Sequence, residues 1–160
     1  MGESIPAKRH GKCRMCRKEN TVLTKHHEYL LDRKKGKIFT KNIIKGEPIP
    51  VFNYGKMKRD FTYINDIVLG TRSAMKKNYA CEIFNLGNNK VKSLMDMITI
   101  IETNLGKKAD IDFQSIKAGD VVESFADINK SIEKLDYNPK IDIEQGIPKF
   151  IDWYKYYISI

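Results

Sequence analysis

Cysteine and histidine are scarce in this 160-residue chain, three of each, and tryptophan occurs once. An odd, low cysteine count argues against a disulfide framework. No apolar run approaches the roughly 18 residues that suggest a membrane span. The opening Met-Gly-Glu-Ser-Ile-Pro-Ala-Lys-Arg-His has no apolar core of a secretion signal. These absences lead us to expect a cytoplasmic protein with no membrane partner. No Gly-x-x-Gly-x-x-Gly string occurs either, so the turn that cradles a dinucleotide pyrophosphate is not found in this sequence.

What is present is a folding composition, 41% apolar with scattered aromatics, and enough length for one domain with a real core. The net charge of +9 is unevenly spread. Residues 1–37 hold eleven Lys/Arg against four Asp/Glu, a net of +7, and the remaining 18 against 16 leave +2 for residues 38–160. A nucleic-acid partner is therefore conceivable for the first quarter alone, against the plainer reading of a solvated basic arm.

That quarter, residues 1–37, reads as a basic Cys/His-rich head without sustained helical or strand period. It carries Cys13, Cys16, His26 and His27, with His10 nearby. A Cys-x-x-Cys knuckle followed by histidine suits tetrahedral zinc, which takes thiolate and imidazole together. The alternatives are a zinc knuckle and a disordered basic arm with incidental thiols. Cys81, in an apolar stretch, reads as a small buried core residue.

From residue 38 onward the pattern is regular, and an α/β unit is expected. Phe39, Ile43 and Ile44 share one face of a short helix that Gly46 ends. Residues 49–53 read as a proline-edged strand and 59–64 as a half-buried strand. Asn65 or Asp66 is expected to cap a helix whose apolar face is Ile67, Val68, Thr71 and Met75. A strand over 82–86 closes on Gly87-Asn88-Asn89. Ser93 and Asp96 form a capping box for a helix carrying Leu94, Met97, Ile98, Ile101 and Leu105. A short strand over 109–113 follows. Asp127 is expected to cap a helix carrying Ile128, Ile132 and Leu135, and Asn138-Pro139 to break it. Asp142 with Gln145 is a second expected capping box, for a last helix that faces Ile143, Ile147, Phe150, Ile151, Tyr154 and Ile158 inward.

Seven blocks of this region stand in a telling order: Phe39-Thr40-Lys41 to Gly46; Ile49-Pro50-Val51-Phe52; Arg59-Asp60-Phe61-Thr62-Tyr63-Ile64-Asn65-Asp66-Ile67; Phe84-Asn85-Leu86-Gly87; Ala118-Gly119-Asp120-Val121 to Asp127; Tyr137-Asn138-Pro139; and Ile143-Glu144-Gln145-Gly146-Ile147 to Trp153-Tyr154. Together they resemble the C-terminal part of an NAD-dependent nucleotide-sugar epimerase/dehydratase of the extended short-chain dehydrogenase family, in particular the UDP-glucuronate 4-epimerases of surface-polysaccharide synthesis. The resemblance implies the small substrate-binding C-terminal part of that fold, over residues 38–160, without the Gly-rich first half of the Rossmann sheet. It implies a UDP-sugar ligand, and NAD as the family's cofactor.

By the same resemblance Arg59 matches the position that contacts the diphosphate, as the planar donors of arginine suit; the alternative is a surface ion pair with Asp60. Phe52 matches the aromatic of the uracil pocket, or is a core residue. Asp120 matches the acid that bonds the ribose hydroxyls. Lys117 stands where relatives carry Arg or Gln, and reads equally as a phosphate contact or a surface lysine. The family reaction also needs a helical Tyr-x-x-x-Lys, in which the lysine lowers the tyrosine pKa. The string Tyr54-Gly55-Lys56-Met57-Lys58 fits in spelling only, because a glycine turn between strands cannot put residues four apart on one helical face.

The expectation is a truncated epimerase-family chain, inactive alone, that keeps UDP-binding elements. It acts either as a remnant or with a separate NAD-binding subunit or a second copy. The alternative from another class is a zinc-knuckle nucleic-acid binder carrying an inactive epimerase remnant.

Overall fold

The computed structural model describes residues 21–26 and 35–159. In chain order the elements are β1 (Thr21–His26), α1 (Lys35–Lys45), β2 (Ile49–Phe52), a single 3-10 turn (Asn53–Gly55), β3 (Lys58–Asp60), α2 (Ile64–Lys77), β4 (Cys81–Leu86), β5 (Val91–Ser93), α3 (Leu94–Leu105), β6 (Ile111–Gln114), β7 (Glu123–Ser124), α4 (Asn129–Leu135) and α5 (Ile143–Tyr157). The expected α/β class is what is observed. No described helix is long and apolar enough to cross a membrane.

The strands form three small sheets. β1 and β4 run parallel, with Thr21 opposite Cys81 and His26 opposite Leu86. A strand thus lies inside the head that was expected to lack one, and it hydrogen-bonds to a strand some 60 residues later. β2 and β6 run parallel, Ile49 opposite Ile111. β3 is central to the third sheet, antiparallel to β5 and parallel to β7.

Two apolar clusters hold these pieces. In the first, Phe39 and Ile43 of α1, Ile49 and Val51 of β2, Met97, Ile98 and Ile101 of α3 and Ile143, Ile147 and Ile151 of α5 are buried together. In the second, Ile67 and Ala74 of α2 and Leu135 of α4 close over Phe84 and Leu86 of β4, with Tyr137 alongside. Burying a side chain of this size stabilises by about 1.5–3 kcal/mol. The helix ends are local decisions. Gly46 ends α1 at φ +73°, and Gly106 ends α3 at φ +65°. Ser93 accepts the N–H of Asp96 while the Asp96 carboxylate accepts that of Ser93, the expected capping box.

Several expectations need correction. Tyr63, not Asn65 or Asp66, is the N-cap of α2, and it caps without its side chain; Asp66 is buried and accepts the N–H of Ile141 at 3.1 Å. The inward face of α2 is Ile67, Gly70 and Ala74, while Val68 and Met75 are exposed. β3 ends at Asp60 because α2 starts at Ile64. Cys81 is exposed rather than buried, since the alternation of β4 buries Phe84 and Leu86. Ile132 of α4 is half exposed, and Asp136 in the left-handed region ends that helix before Asn138-Pro139 is reached. Asp142 is the N-cap residue of α5 but makes no cap bond; its carboxylate is taken by Lys90 and Asn88.

The exposed side of α5 is aromatic. Trp153 stacks on Tyr157 with ring centroids 5.3 Å apart and leans on Phe150 and Tyr154. Lys37 of α1 sits over the Tyr157 ring.

Candidate nucleotide-sugar site

β2 and β3 deliver the first two candidate residues, and the loop between β6 and β7 delivers the other two. Phe52 is the last residue of β2 and half-buried. The chain then turns sharply, with Asn53, Tyr54 and Gly55 all at positive φ. A side chain on Gly55 would meet Met95 at 2.9 Å, so the turn needs glycine both for its φ of +80° and for space. Tyr54 therefore points outward from a turn while Lys58 begins a strand, and the Tyr-x-x-x-Lys string shares no helical face.

In β3 the pleat sends neighbouring side chains to opposite sides. Arg59 reaches the β6–β7 loop. Its Nη2 donates to the Val121 carbonyl at 2.9 Å, and its Nη1 donates to the carbonyls of Val122 at 3.2 Å and Lys58 at 2.7 Å. The Lys58 amide donates to the same Val122 carbonyl. Asp60 turns inward and is only 3% exposed. Its carboxylate accepts the backbone N–H groups of Asn88 at 2.8 Å, Asn89 at 3.0 Å and Ala126 at 3.2 Å. The reading of Arg59 and Asp60 as a surface ion pair is thereby excluded.

The loop that Arg59 grips carries the remaining candidates. Gly119, at φ +87°, lets it turn, and the Asp120 amide closes the turn by donating to the Lys117 carbonyl at 3.1 Å. The Lys117 ammonium lies 4.2 Å from the centroid of the Phe52 ring. The β6–β7 loop thus touches Phe52 through Lys117 and Arg59 through Val121 and Val122, with Asp120 between these contacts in the chain. An aromatic face and two cations that meet one loop, with a carboxylate carried by that loop, are the chemistry that takes a planar base, a phosphate group and a sugar hydroxyl.

Behind the site, Tyr137 donates to the Gly87 carbonyl at 2.9 Å. Burial, with the Asp66 and Asp60 carboxylates nearby, pushes its phenol well above the usual tyrosine range. An open cleft of about 570 Å³ lies between Asn88, Lys90, Ile128 and Tyr137 and includes none of the four candidates. Asp142 is held below the usual carboxylate range, chiefly by the Lys90 ammonium at 2.8 Å and next by the Asn88 amide.

Sequence reasoning missed the partners of this site: the carbonyls of Val121 and Val122, and Asp60 as an anchor. Strand alternation alone could have separated Asp60 from Arg59; no side-chain signal marks a carbonyl. Of the expected zinc ligands, Cys13, Cys16 and His27 lie outside the described residues, and His26 is the last residue of β1. Among the described residues no three His, Cys, Asp or Glu side chains gather as a metal site would require.

Residues 17–87 match the model of the NAD dependent epimerase/dehydratase family. Over that stretch, under half of the chain, the sequence is similar to that family. The match begins within the head and takes in β1. An uncharacterized protein of Methanocaldococcus jannaschii is 49% identical, over 72% of this chain and 36% of that protein. The UDP-glucuronate 4-epimerase of Thermodesulfobacterium geofontis is 38% identical, over 76% and 38%. Among solved structures, a UDP-glucuronic acid 4-epimerase from Bacillus cereus in complex with UDP-4-deoxy-4-fluoro-glucuronic acid and NAD superposes with a TM-score of 0.77 at 28% identity, over 85% of this chain and 45% of that one. The fold is thus the C-terminal part of an extended short-chain dehydrogenase, and the chain spans under half the length of these relatives.

Proposed function

We propose that this chain is the UDP-sugar-binding part of a UDP-glucuronate 4-epimerase-type protein, working in the cytoplasm in polysaccharide synthesis. The observation that carries the reading is the edge where Arg59 grips the loop beyond Asp120 while Lys117 covers Phe52. In this reading the uracil stacks on Phe52 and displaces the Lys117 ammonium from the ring. A surface cation–π contact is worth only about 0.5–1 kcal/mol, so the exchange is cheap. The ammonium then swings to the diphosphate beside the Arg59 guanidinium, and the Asp120 carboxylate accepts from the ribose hydroxyls. The named relatives and the liganded B. cereus structure support this ligand class.

The residues present do not fit NAD. A pyrophosphate cradle needs a strand that passes through a Gly-rich turn into a helix N-terminus. Among the described glycines, Gly46 and Gly106 follow helices, Gly55, Gly87 and Gly119 lie between strands, Gly70 and Gly146 lie within helices, and Gly36 stands alone in the first turn of α1. With no such turn and no helical Tyr-x-x-x-Lys among the described residues, these residues hold the sugar nucleotide in this reading, and the redox step falls to residues other than them.

Isothermal titration of the purified chain tests the reading. UDP is expected to bind more tightly than uridine. Arg59→Ala is expected to weaken UDP by about 1.5–3 kcal/mol, the scale of a charge-assisted hydrogen bond, and to weaken uridine markedly less. Equal weakening of both would sink the assignment of Arg59 to the phosphates, and no UDP binding at all would sink the ligand class.

A further inference from the structure

Phe52 closes β2 half-buried, and it belongs to neither apolar cluster. In the parallel pairing of β2 with β6 it lies opposite Gln114, the last residue of β6. Lys117 follows three residues later and opens the turn that Gly119 and the Asp120 amide complete. From there its side chain lies back over the Phe52 ring. The approach is close. Lys37, Lys130, Lys134 and Lys149 stand 5.2 to 5.6 Å from the ring centroids they face, and Lys117 stands 4.2 Å from its own. Lys130 and Lys134 are also paired with Glu82. Lys117 has no hydrogen bond or ion pair among the described residues, so the ring is its partner there. An ammonium laid on an aromatic face covers the surface on which a base would stack.

We infer that Lys117 is a lid that makes the base platform answer to phosphate. It is closed on Phe52 in the free chain, and a ligand that carries both a base and a phosphate gives the displaced ammonium a new partner. The inference rests on the nucleotide reading above and adds to it a rule of selection, against nucleosides and for nucleotides.

The two ligand types meet the same side chain differently. A nucleoside lifts the ammonium off the ring and leaves it in water, so it binds against the cation–π contact. A nucleoside diphosphate lifts it toward its own phosphates, where a charge-assisted hydrogen bond replaces the contact. Lys117 therefore opposes one ligand and favours the other. Base and phosphate recognition are coupled through it, by the strength of the contact that is exchanged. Arg59 differs in this respect. Its guanidinium is held on the carbonyls of the loop and does not cover the ring, so its removal frees no platform.

The test titrates the 160-residue chain with uridine and with UDP, and follows the Lys117 ε-methylene by NMR. In the free chain those protons are expected upfield of the ordinary lysine position, shifted by the ring current. Phe52→Leu is expected to return them to it, and so is UDP. Lys117 is exposed, so its replacement leaves the fold intact. Lys117→Ala is expected to bind uridine about two- to fivefold more tightly than wild type, the worth of a surface cation–π contact. It is expected to bind UDP about tenfold less tightly, the lower end for a hydrogen bond to a charged group. Lys117→Arg keeps a cation that stacks on a ring and reaches a phosphate, and is expected to keep the wild-type order. Methylene protons at the ordinary position in the free chain would overturn the lid. So would uridine and UDP affinities that move in the same direction on Lys117→Ala, the mark of a lysine that merely rests on the ring. A wild-type chain that binds neither ligand overturns the nucleotide reading and the lid with it, whereas UDP binding in which the two affinities move together overturns the lid alone.

Discussion

Arg59 and Asp60 are adjacent in β3, and the pleat gives them separate work: the arginine holds the loop of the candidate site, and the aspartate holds the frame behind it. Three backbone N–H groups end on the Asp60 carboxylate. Removing it strands those donors in a buried place, at roughly 1–3 kcal/mol for each left unsatisfied. Asp60→Ala is therefore expected to cost about 3 kcal/mol or more in urea denaturation, whereas Arg59→Ala should cost far less stability. A second carboxylate predicts a pH dependence. Asp142 is held below the usual range by Lys90 and Asn88, so its contribution is present above the ordinary aspartate pKa, about 3.9, and is lost as pH falls through its lower folded value. The melting temperature of Asp142→Asn should lie below wild type at neutral pH, and the gap should close on acidification below about pH 4. A gap that stays constant would refute the pairing.

At the scale of elements, what was legible in the sequence was local. The Ser93–Asp96 box and the Gly106 stop define α3 because both act within one turn of the helix they bound. The face of α2 was misread because the spacing of Val68, Thr71 and Met75 satisfies the helical period as well as that of Ile67, Gly70 and Ala74 does. Only the tertiary partners, Leu86 and Tyr137, choose between them. They choose the side with the glycine: a methyl on Gly70 would stand 2.7 Å from Leu86 and 2.8 Å from the Tyr137 ring. Gly70→Ala should thus destabilise by about 1–3 kcal/mol, against the gain of nearly 1 kcal/mol that alanine brings to a helix interior. Thermal melting decides the sign. Asp142 was misread for a related reason. Its local option, a cap bond to its own helix, loses to a distant lysine, Lys90, in the loop between β4 and β5.

Taken whole, the molecule has a well-packed half and an unfinished half. α3 and α5 close on α1 and β2 through side chains that are almost fully buried, whereas β4 is covered on one side. Hydrogen exchange should show this as a gradient. Amides of Ile98, Ile101, Ile147 and Ile151 are expected to exchange slowest in the chain alone, and those of Cys81 to Asn85 markedly faster. Uniform protection would contradict the uneven packing. The family blocks were readable because their order along the chain survives without knowledge of contacts. Strand β1 was not, because Thr21 to His26 holds four polar residues and has little period of its own, and its pairing depends on Cys81 to Leu86.

The aromatic side of α5 has a practical consequence. Trp153 is the one indole in the chain, half exposed and bracketed by Phe150, Tyr154 and Tyr157 of its own helix. Intrinsic fluorescence excited at the indole therefore reports whether the last helix is formed, and is largely blind to ligand arriving at Phe52. A titration that leaves the emission unmoved is compatible with full occupancy of the nucleotide edge, while a red shift on heating marks the loosening of the carboxyl-terminal end of the fold.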